Sequence, residues 1–182
     1  SKVFVAKNRE EEKRESSTSG GMFKVIAEEI IKQKGVVFGV TYNEKMQVVH
    51  DYAQTNKDLQ QFSFSKYVRS DLRDSYQKVE EFLENGRYVL FTGTPCQNYG
   101  LRKYLRKDYD KLLLCEIVCY SNPSPEVFKK YLKNLELQNN KKIVKYYFRN
   151  KNNEVKRKPY AEFEDGSILV EESFYNAFNN RL

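Results

Sequence analysis

The sequence predicts an α/β chain of the α+β kind: a mixed sheet with a parallel strand-helix-strand core flanked by helices, and an antiparallel meander of strands near the C-terminus. Three observations carry this. The stretch from Arg87 to Pro125 reads as strand, tight turn with a cysteine, helix, strand, and a second tight turn with a cysteine. The stretch from Val36 to Tyr52 reads as two β-favouring runs around a turn at Asn43 to Lys45. Beyond Gln138 the apolar period shortens to that of strands.

Taken in order, the chain opens with the apolar patch VFVA and the charge run KNREEEKRE, a solvated loop or helix end. The cluster SSTSGG, Ser16 to Gly21, precedes Met22, Phe23, Ile26, Ala27, Ile30 and Ile31 at helical spacing, and Gly35 stops that helix. Amides at a helix start, with glycines allowing close approach, suit an anion such as a flavin phosphate. Serine is equally a good N-cap, and spacing alone leaves both readings open.

Val36 to Tyr42 is a strand that pairs with Gln47 to Tyr52 across a turn at Asn43 to Lys45. His50, the only histidine, is read as a surface or half-buried strand residue and left out of the site. Lys66 and Arg69 in SKYVRS stand where they could grip a phosphate or simply face solvent. A helix with Leu72, Tyr76, Val79, Phe82 and Leu83 on one face follows, and Gly86 ends it.

Tyr88 to Phe91 and Leu112 to Val118 are the apolar runs of the next two strands, with Leu101, Tyr104 and Leu105 on the inner stripe of the helix between them. Such a crossover makes the two strands parallel, so Cys96 and Cys119 fall at the same sheet edge, where ligands of open α/β sheets collect. Cys96 follows Gly93 and Pro95 at a helix N-terminus, which favours a thiolate. Cys115, on the second strand, is read as a small core residue. Ser124, Pro125 and Glu126 form an N-cap, N1 and first-turn set for a helix with Val127, Phe128, Tyr131, Leu132 and Leu135 inward.

The meander comprises strands from Ile143 to Arg149, Val155 to Phe163 and Ser167 to Val170, with turns at Asn150 to Asn153 and at Asp165 and Gly166; Phe174 to Leu182 begins a helix. With no linker, residues 1–182 are expected to form one domain, and a first residue other than Met points to a piece of a longer protein.

Composition narrows the function classes. No apolar run reaches the roughly 20 residues of a membrane helix, and no hydrophobic leader is present, so a cytoplasmic protein without a membrane span is expected. Three cysteines are too few and too odd for a disulfide framework, leaving thiol or metal chemistry. The net charge of +7, from 32 basic and 25 acidic residues, suits an anionic small-molecule coenzyme or a solubilising surface. No nucleic-acid recognition motif accompanies the 14 Tyr and 12 Phe, so no nucleic-acid partner is expected.

In the order they occur, RESSTSGGMF (Arg14 to Phe23), KGVVFGVTY (Lys34 to Tyr42), SKYVRS (Ser65 to Ser70), VLFTGTPCQ (Val89 to Gln97), VCYSNPSP (Val118 to Pro125) and YYFRNK (Tyr146 to Lys151) resemble the coenzyme F420 hydrogenase/dehydrogenase β-subunit family. The resemblance implies an oxidoreductase component that carries FAD and a 4Fe-4S cluster. It would move hydride or electrons between a deazaflavin, coenzyme F420, or another reduced carrier and a redox partner such as a ferredoxin-like protein or a hydrogenase or dehydrogenase subunit. It implies Cys96 and Cys119 as metal ligands, and Ser17, Ser19, Gly20, Gly21, Lys66 and Thr94 as cofactor-binding residues. A four-iron cluster needs four thiolates, so the remaining ligands are expected from a cysteine-rich segment past Leu182. The family commonly has His-Gly after the second cysteine, whereas Tyr120 and Ser121 follow Cys119 here. Two other classes compete: a cluster-free enzyme with Cys96 as nucleophile, lacking an evident base, and a non-enzymatic docking or assembly module.

Overall fold

The computed structural model describes residues 2–149 and 158–171. The predicted turn at Asn150 to Asn153, the start of the strand expected from Val155, and the helix expected from Phe174 lie outside the described residues. The chain divides into two compact units.

The larger part of the fold that concerns the cysteines is the unit of Phe23–Phe62 and Val68–Pro123. Its elements are α2 (Met22–Lys32), β1 (Val36–Tyr42), β2 (Val48–Ala53), α3 (Ser75–Glu84), β3 (Val89–Gly93), α4 (Pro95–Leu105) and β4 (Leu112–Glu116), numbered after a short α1 (Glu11–Glu15) in the other unit. The strands form one mixed sheet in the order β2-β1-β3-β4, with β1 and β2 antiparallel and the β1/β3 and β3/β4 pairs parallel. The hairpin forms because the Asn43 side chain accepts from the amides of Lys45 and Gln47, both at 3.0 Å, closing the turn locally.

Alternation along the central strands explains the two cores. Val36 and Phe38 of β1, with Val89 and Phe91 of β3, face one way and pack with Val79 and Leu83 of α3 and Leu101 and Leu105 of α4. Val37 and Leu90, one residue out of phase, face the other way toward Ala27 and Ile30 of α2, and Leu59 and Phe62 of a 3-10 turn at Asp58–Phe62. β3 is buried along its whole length, as expected of a parallel strand covered on both faces. Gly39 on β1 is required by this packing, because a Cβ there would meet the Phe62 ring at 2.7 Å. β4 is the outer strand, and Leu113 is exposed on it.

The other unit gathers the described residues of Ser1–Met22, Ser63–Tyr67 and Ser124–Leu182. Here α5 (Pro125–Asn139) lies with an antiparallel sheet in the order β5-β6-β7, made of β5 (Ile143–Tyr147), β6 (Tyr160–Phe163) and β7 (Ile168–Val170). α5 begins as its sequence dictates: the Ser124 side chain accepts from the Glu126 amide at 3.3 Å and Pro125 occupies N1. Phe128 of α5 packs on Tyr146 and Phe148 with ring centroids 5.4 and 5.2 Å away. The segment 63–67 joins this aromatic layer through Phe64 on Tyr147 and Tyr67 on Phe148.

Candidate functional site

The cysteine-bearing turns follow directly from the β3-α4-β4 crossover. Gly93 of β3 pairs with Glu116 of β4, and the Ile117 amide still donates to the Gly93 carbonyl at 2.9 Å. Cys96 and Cys119, each three residues beyond that last pair, therefore leave from the carboxyl rim of adjacent parallel strands. Both thiols are free and exposed. Cys96 sits in the first turn of α4, next to Pro95 at N1, and its sulfur is 3.1 Å from the Thr94 hydroxyl. The Cys119 sulfur accepts from the Asn122 side-chain amide at 3.4 Å, in a loop where Val118 and Tyr120 are fully exposed. Cys115 is half-buried against the α2 side of the sheet, and burial pushes its thiol up.

The residues expected to hold an anion form a second group. The Thr18 hydroxyl accepts from the Ser65 amide at 2.9 Å, so the SSTSGG loop and the segment carrying Lys66 are neighbours. Lys66 donates to the Ser63 carbonyl at 2.8 Å, and desolvation lowers its amine from the ordinary 10.5 to about 7. A lysine held in so dry a place recovers its charge when an anion comes beside it. Ser17 is turned inward: its hydroxyl donates to the Lys13 carbonyl at 2.7 Å, closing the end of α1. Gly20 is held by the N-terminal segment, its carbonyl accepting from the Asn8 amide at 2.7 Å. A Cβ on Gly20 would meet the Ala6 carbonyl at 3.0 Å, and Gly21 has φ +75 with Asn8 at its back, so both glycines serve chain packing. The observation that fits a phosphate-bearing group such as FAD is thus Lys66 rather than the glycines.

Thr94 is placed at the N-terminus of α4, where its amide donates to Gln97 Oε1 at 3.0 Å and its carbonyl accepts from the Gln97 and Asn98 amides. From Gln97 a polar network that the sequence did not announce runs inward. Gln97 Nε2 donates to Ser70 Oγ at 3.0 Å, and Ser70 Oγ lies 2.9 Å from His50 Nδ1. His50 Nε2 lies 3.1 Å from the Thr92 carbonyl, and the imidazole stacks on Phe91 at 5.1 Å. His50 is completely buried, contrary to the reading of a surface or half-buried residue. The reason is that β2 is covered on its outer side: the His50 amide donates to the Asp71 carbonyl at 2.8 Å, and Asp71 bridges to Val49. Desolvation lowers the imidazole to about 4, against a raising effect of the Thr92 carbonyl, so His50 is neutral near pH 7.

As a metal site the rim is partial. Among the described residues no group of three or more His, Cys, Asp or Glu is disposed to hold a metal. Two exposed thiols fit two ligand positions of a 4Fe-4S cluster, and the sequence's third cysteine is half-buried on β4, so this chain alone does not provide the four thiolates. Among the described residues no helix is long and apolar enough to cross a membrane.

The fold and rim define an α/β chain with two exposed thiols just beyond the carboxyl ends of adjacent parallel strands. A family model describing the C terminus of the coenzyme F420 hydrogenase/dehydrogenase β subunit matches residues 86–176, half of the chain. The chain belongs to the coenzyme F420 hydrogenase/dehydrogenase β-subunit family. Among curated proteins no sequence match is found. In fold the chain is similar to one chain of the F420-reducing NiFe hydrogenase complex from Methanosarcina barkeri, with a TM-score of 0.63 and 17% identity. The match covers 96% of this chain and 60% of that one, so the present chain spans three fifths of its length.

Proposed function

We propose that this chain acts in an oxidoreductase as a flavin- and iron-sulfur-dependent electron-transfer component, joined to a partner subunit or a ferredoxin-like protein. The observation that carries the reading is the common rim of β3 and β4, from which both Cys96 and Cys119 present exposed thiols. A flavin, when bound, joins two-electron hydride chemistry to one-electron transfer, the conversion needed between a deazaflavin and an iron-sulfur partner.

The chain's own residues have separate tasks. Lys66, beside Thr18 and Ser65, holds an anionic group of the coenzyme and gains its proton as it does so. Ser19, Gly20 and Gly21 shape the backbone next to it, and the inward bond of Ser17 fixes that loop. Cys96 and Cys119 supply two thiolates, with Thr94 next to the first, and residues outside this sequence complete the ligand set. The basic balance of the chain favours coenzymes that carry phosphate. Its place in a family named for a subunit supports assembly with a redox partner.

Anaerobic reconstitution of the full-length protein with FAD, iron and sulfide tests this. Retained flavin together with iron that is lost in the Cys96→Ser and Cys119→Ser variants supports the reading. Retention of neither flavin nor iron overturns it.

A further inference from the structure

One side of α4 is a stripe of exposed side chains. Cys96, Tyr99, Lys103 and Arg106 recur at helical spacing with Arg102 beside them, while Gln97, Asn98, Leu101 and Leu105 turn inward. At about 1.5 Å per residue the stripe runs roughly 15 Å from Cys96 to the C-cap. No Asp or Glu occurs between Arg87 and Lys107, so the surface is basic throughout.

The carboxylates of the neighbouring α3 are engaged on the other flank of α4. Glu84 lies 3.5 Å from Lys107, and Glu80 and Glu81 act on Tyr104. Among the described residues Arg102, Lys103 and Arg106 have no carboxylate within ion-pair distance. Lys103 instead stands over the ring of Tyr99, 5.4 Å from its centroid, and Tyr99 is 63% exposed. The dipole of α4 favours cations in its last turn, but it gives no reason for an exposed ring among them.

At its Cys96 end the stripe meets apolar surface. Ile117, whose amide donates to the Gly93 carbonyl, is half exposed, and Val118 and Tyr120 beyond it are fully exposed. Aromatic and arginine side chains are what protein interfaces are rich in, whereas a phosphate backbone would use the cations and leave Ile117, Val118 and Tyr120 in water. The charge also decides the kind of contact. Permanent subunit interfaces are large and apolar, and electron-transfer contacts are small and transient. A charged stripe with one central ring suits the second.

We propose that Tyr99, Arg102, Lys103 and Arg106 of α4 form the docking surface for an acidic protein that binds transiently and is thereby brought beside the rim of Cys96. The inference deepens the electron-transfer reading by locating its partner, and it rests on that reading for its purpose.

The test measures association of the full-length protein, reconstituted anaerobically, with a purified acidic ferredoxin as probe, over a salt series. Charges at an interface act mainly on the association rate, so Arg102→Glu/Lys103→Glu/Arg106→Glu is expected to slow it about tenfold or more at low salt and to flatten its salt dependence. Tyr99→Ala is expected to speed dissociation about tenfold, because a central aromatic acts on the lifetime of a complex. The same charge change on α5, Lys129→Glu/Lys130→Glu/Lys133→Glu, is expected to have an effect of less than about threefold. If the charge-reversed α4 variant does not fold, the neutral Arg102→Gln/Lys103→Gln/Arg106→Gln set is expected to slow association about threefold. No binding by the wild-type protein overturns the proposal, as does an equal loss in the α4 and α5 variants. Loss of FAD from a folded α4 variant also overturns it, since the cations would then serve the coenzyme. Tighter binding to a DNA duplex or to anionic vesicles, lost in the same variant, overturns it in favour of a phosphate surface. Retained flavin and iron without ferredoxin binding removes the docking surface and leaves the electron-transfer reading. Docking that depends on α4 in a protein retaining neither flavin nor iron keeps the surface and removes that reading.

Discussion

Replacing Lys66 by Met separates an anion-binding lysine from an ordinary solvated one. Desolvation lowers the amine from 10.5 to about 7, so below pH 7 the folded state keeps an ammonium in a place that disfavours it. At about 1.36 kcal/mol per pKa unit this penalty is about 5 kcal/mol as an upper bound, and about 2 kcal/mol after allowing for solvent at a half-buried residue. The unfolded chain binds the proton up to pH 10.5 while the folded chain has released it above 7. Wild-type stability therefore rises with pH across that window relative to the Met variant. Urea unfolding at about pH 6.5 and about pH 9.5 measures the difference. Lys66→Met is expected to be more stable than wild type at the lower pH, by about 2 kcal/mol, with the advantage shrinking at the higher one. FAD binding at about pH 8 is expected to take up a proton in wild type, seen by calorimetry in two buffers of different ionisation enthalpy, and not in the variant. An advantage equal at both pH values would refute the reasoning, because it would place the amine in ordinary solvent.

Three further outcomes follow from the same geometry. His50, lowered from 6.5 to about 4, binds its proton in the unfolded chain first, so stability is expected to fall by about 3 kcal/mol as pH drops from 6.5 to 4, and this acid slope should flatten in a His50→Gln variant monitored by urea melts. Gly39→Ala is expected to cost about 1–3 kcal/mol, read as a lowered urea midpoint, since its methyl would meet the Phe62 ring. We propose that the two units, between which the chain passes repeatedly, unfold as one domain; calorimetry would then show a single transition, and two resolved transitions would refute this.

Much of the β3-α4-β4 crossover was legible because its signals are local. Gly93 and Pro95 break an apolar run, and Leu101 and Leu105 recur at helical spacing. The start of α5 was legible for the same reason, as Ser124 and Pro125 act within one turn. The strand expected from Leu112 to Val118 ends at Glu116, because its partner β3 ends at Gly93, whose carbonyl takes the Ile117 amide, and Val118 beyond it is exposed. The burial of His50 was not legible because it depends on Asp71, 21 residues along the chain, closing over β2. The link from His50 through Ser70 and Gln97 to Thr94 joins residues spread over more than 40 positions, and no spacing rule connects them. Ser17 looked like a helix-opening hydroxyl, yet it bonds backwards to Lys13, since the short α1 that precedes it gave no apolar period to read.

The central claim, that Cys96 and Cys119 share one inorganic centre at the rim of β3 and β4, is tested most directly by anaerobic titration with cobalt(II) followed by absorbance. A thiolate-to-cobalt charge-transfer band is expected in the wild-type chain, with its intensity roughly halved or lost in both Cys96→Ser and Cys119→Ser and unaffected by Cys115→Ser. A band that persists at full intensity in either of the first two variants, or that depends on Cys115, would contradict a shared centre.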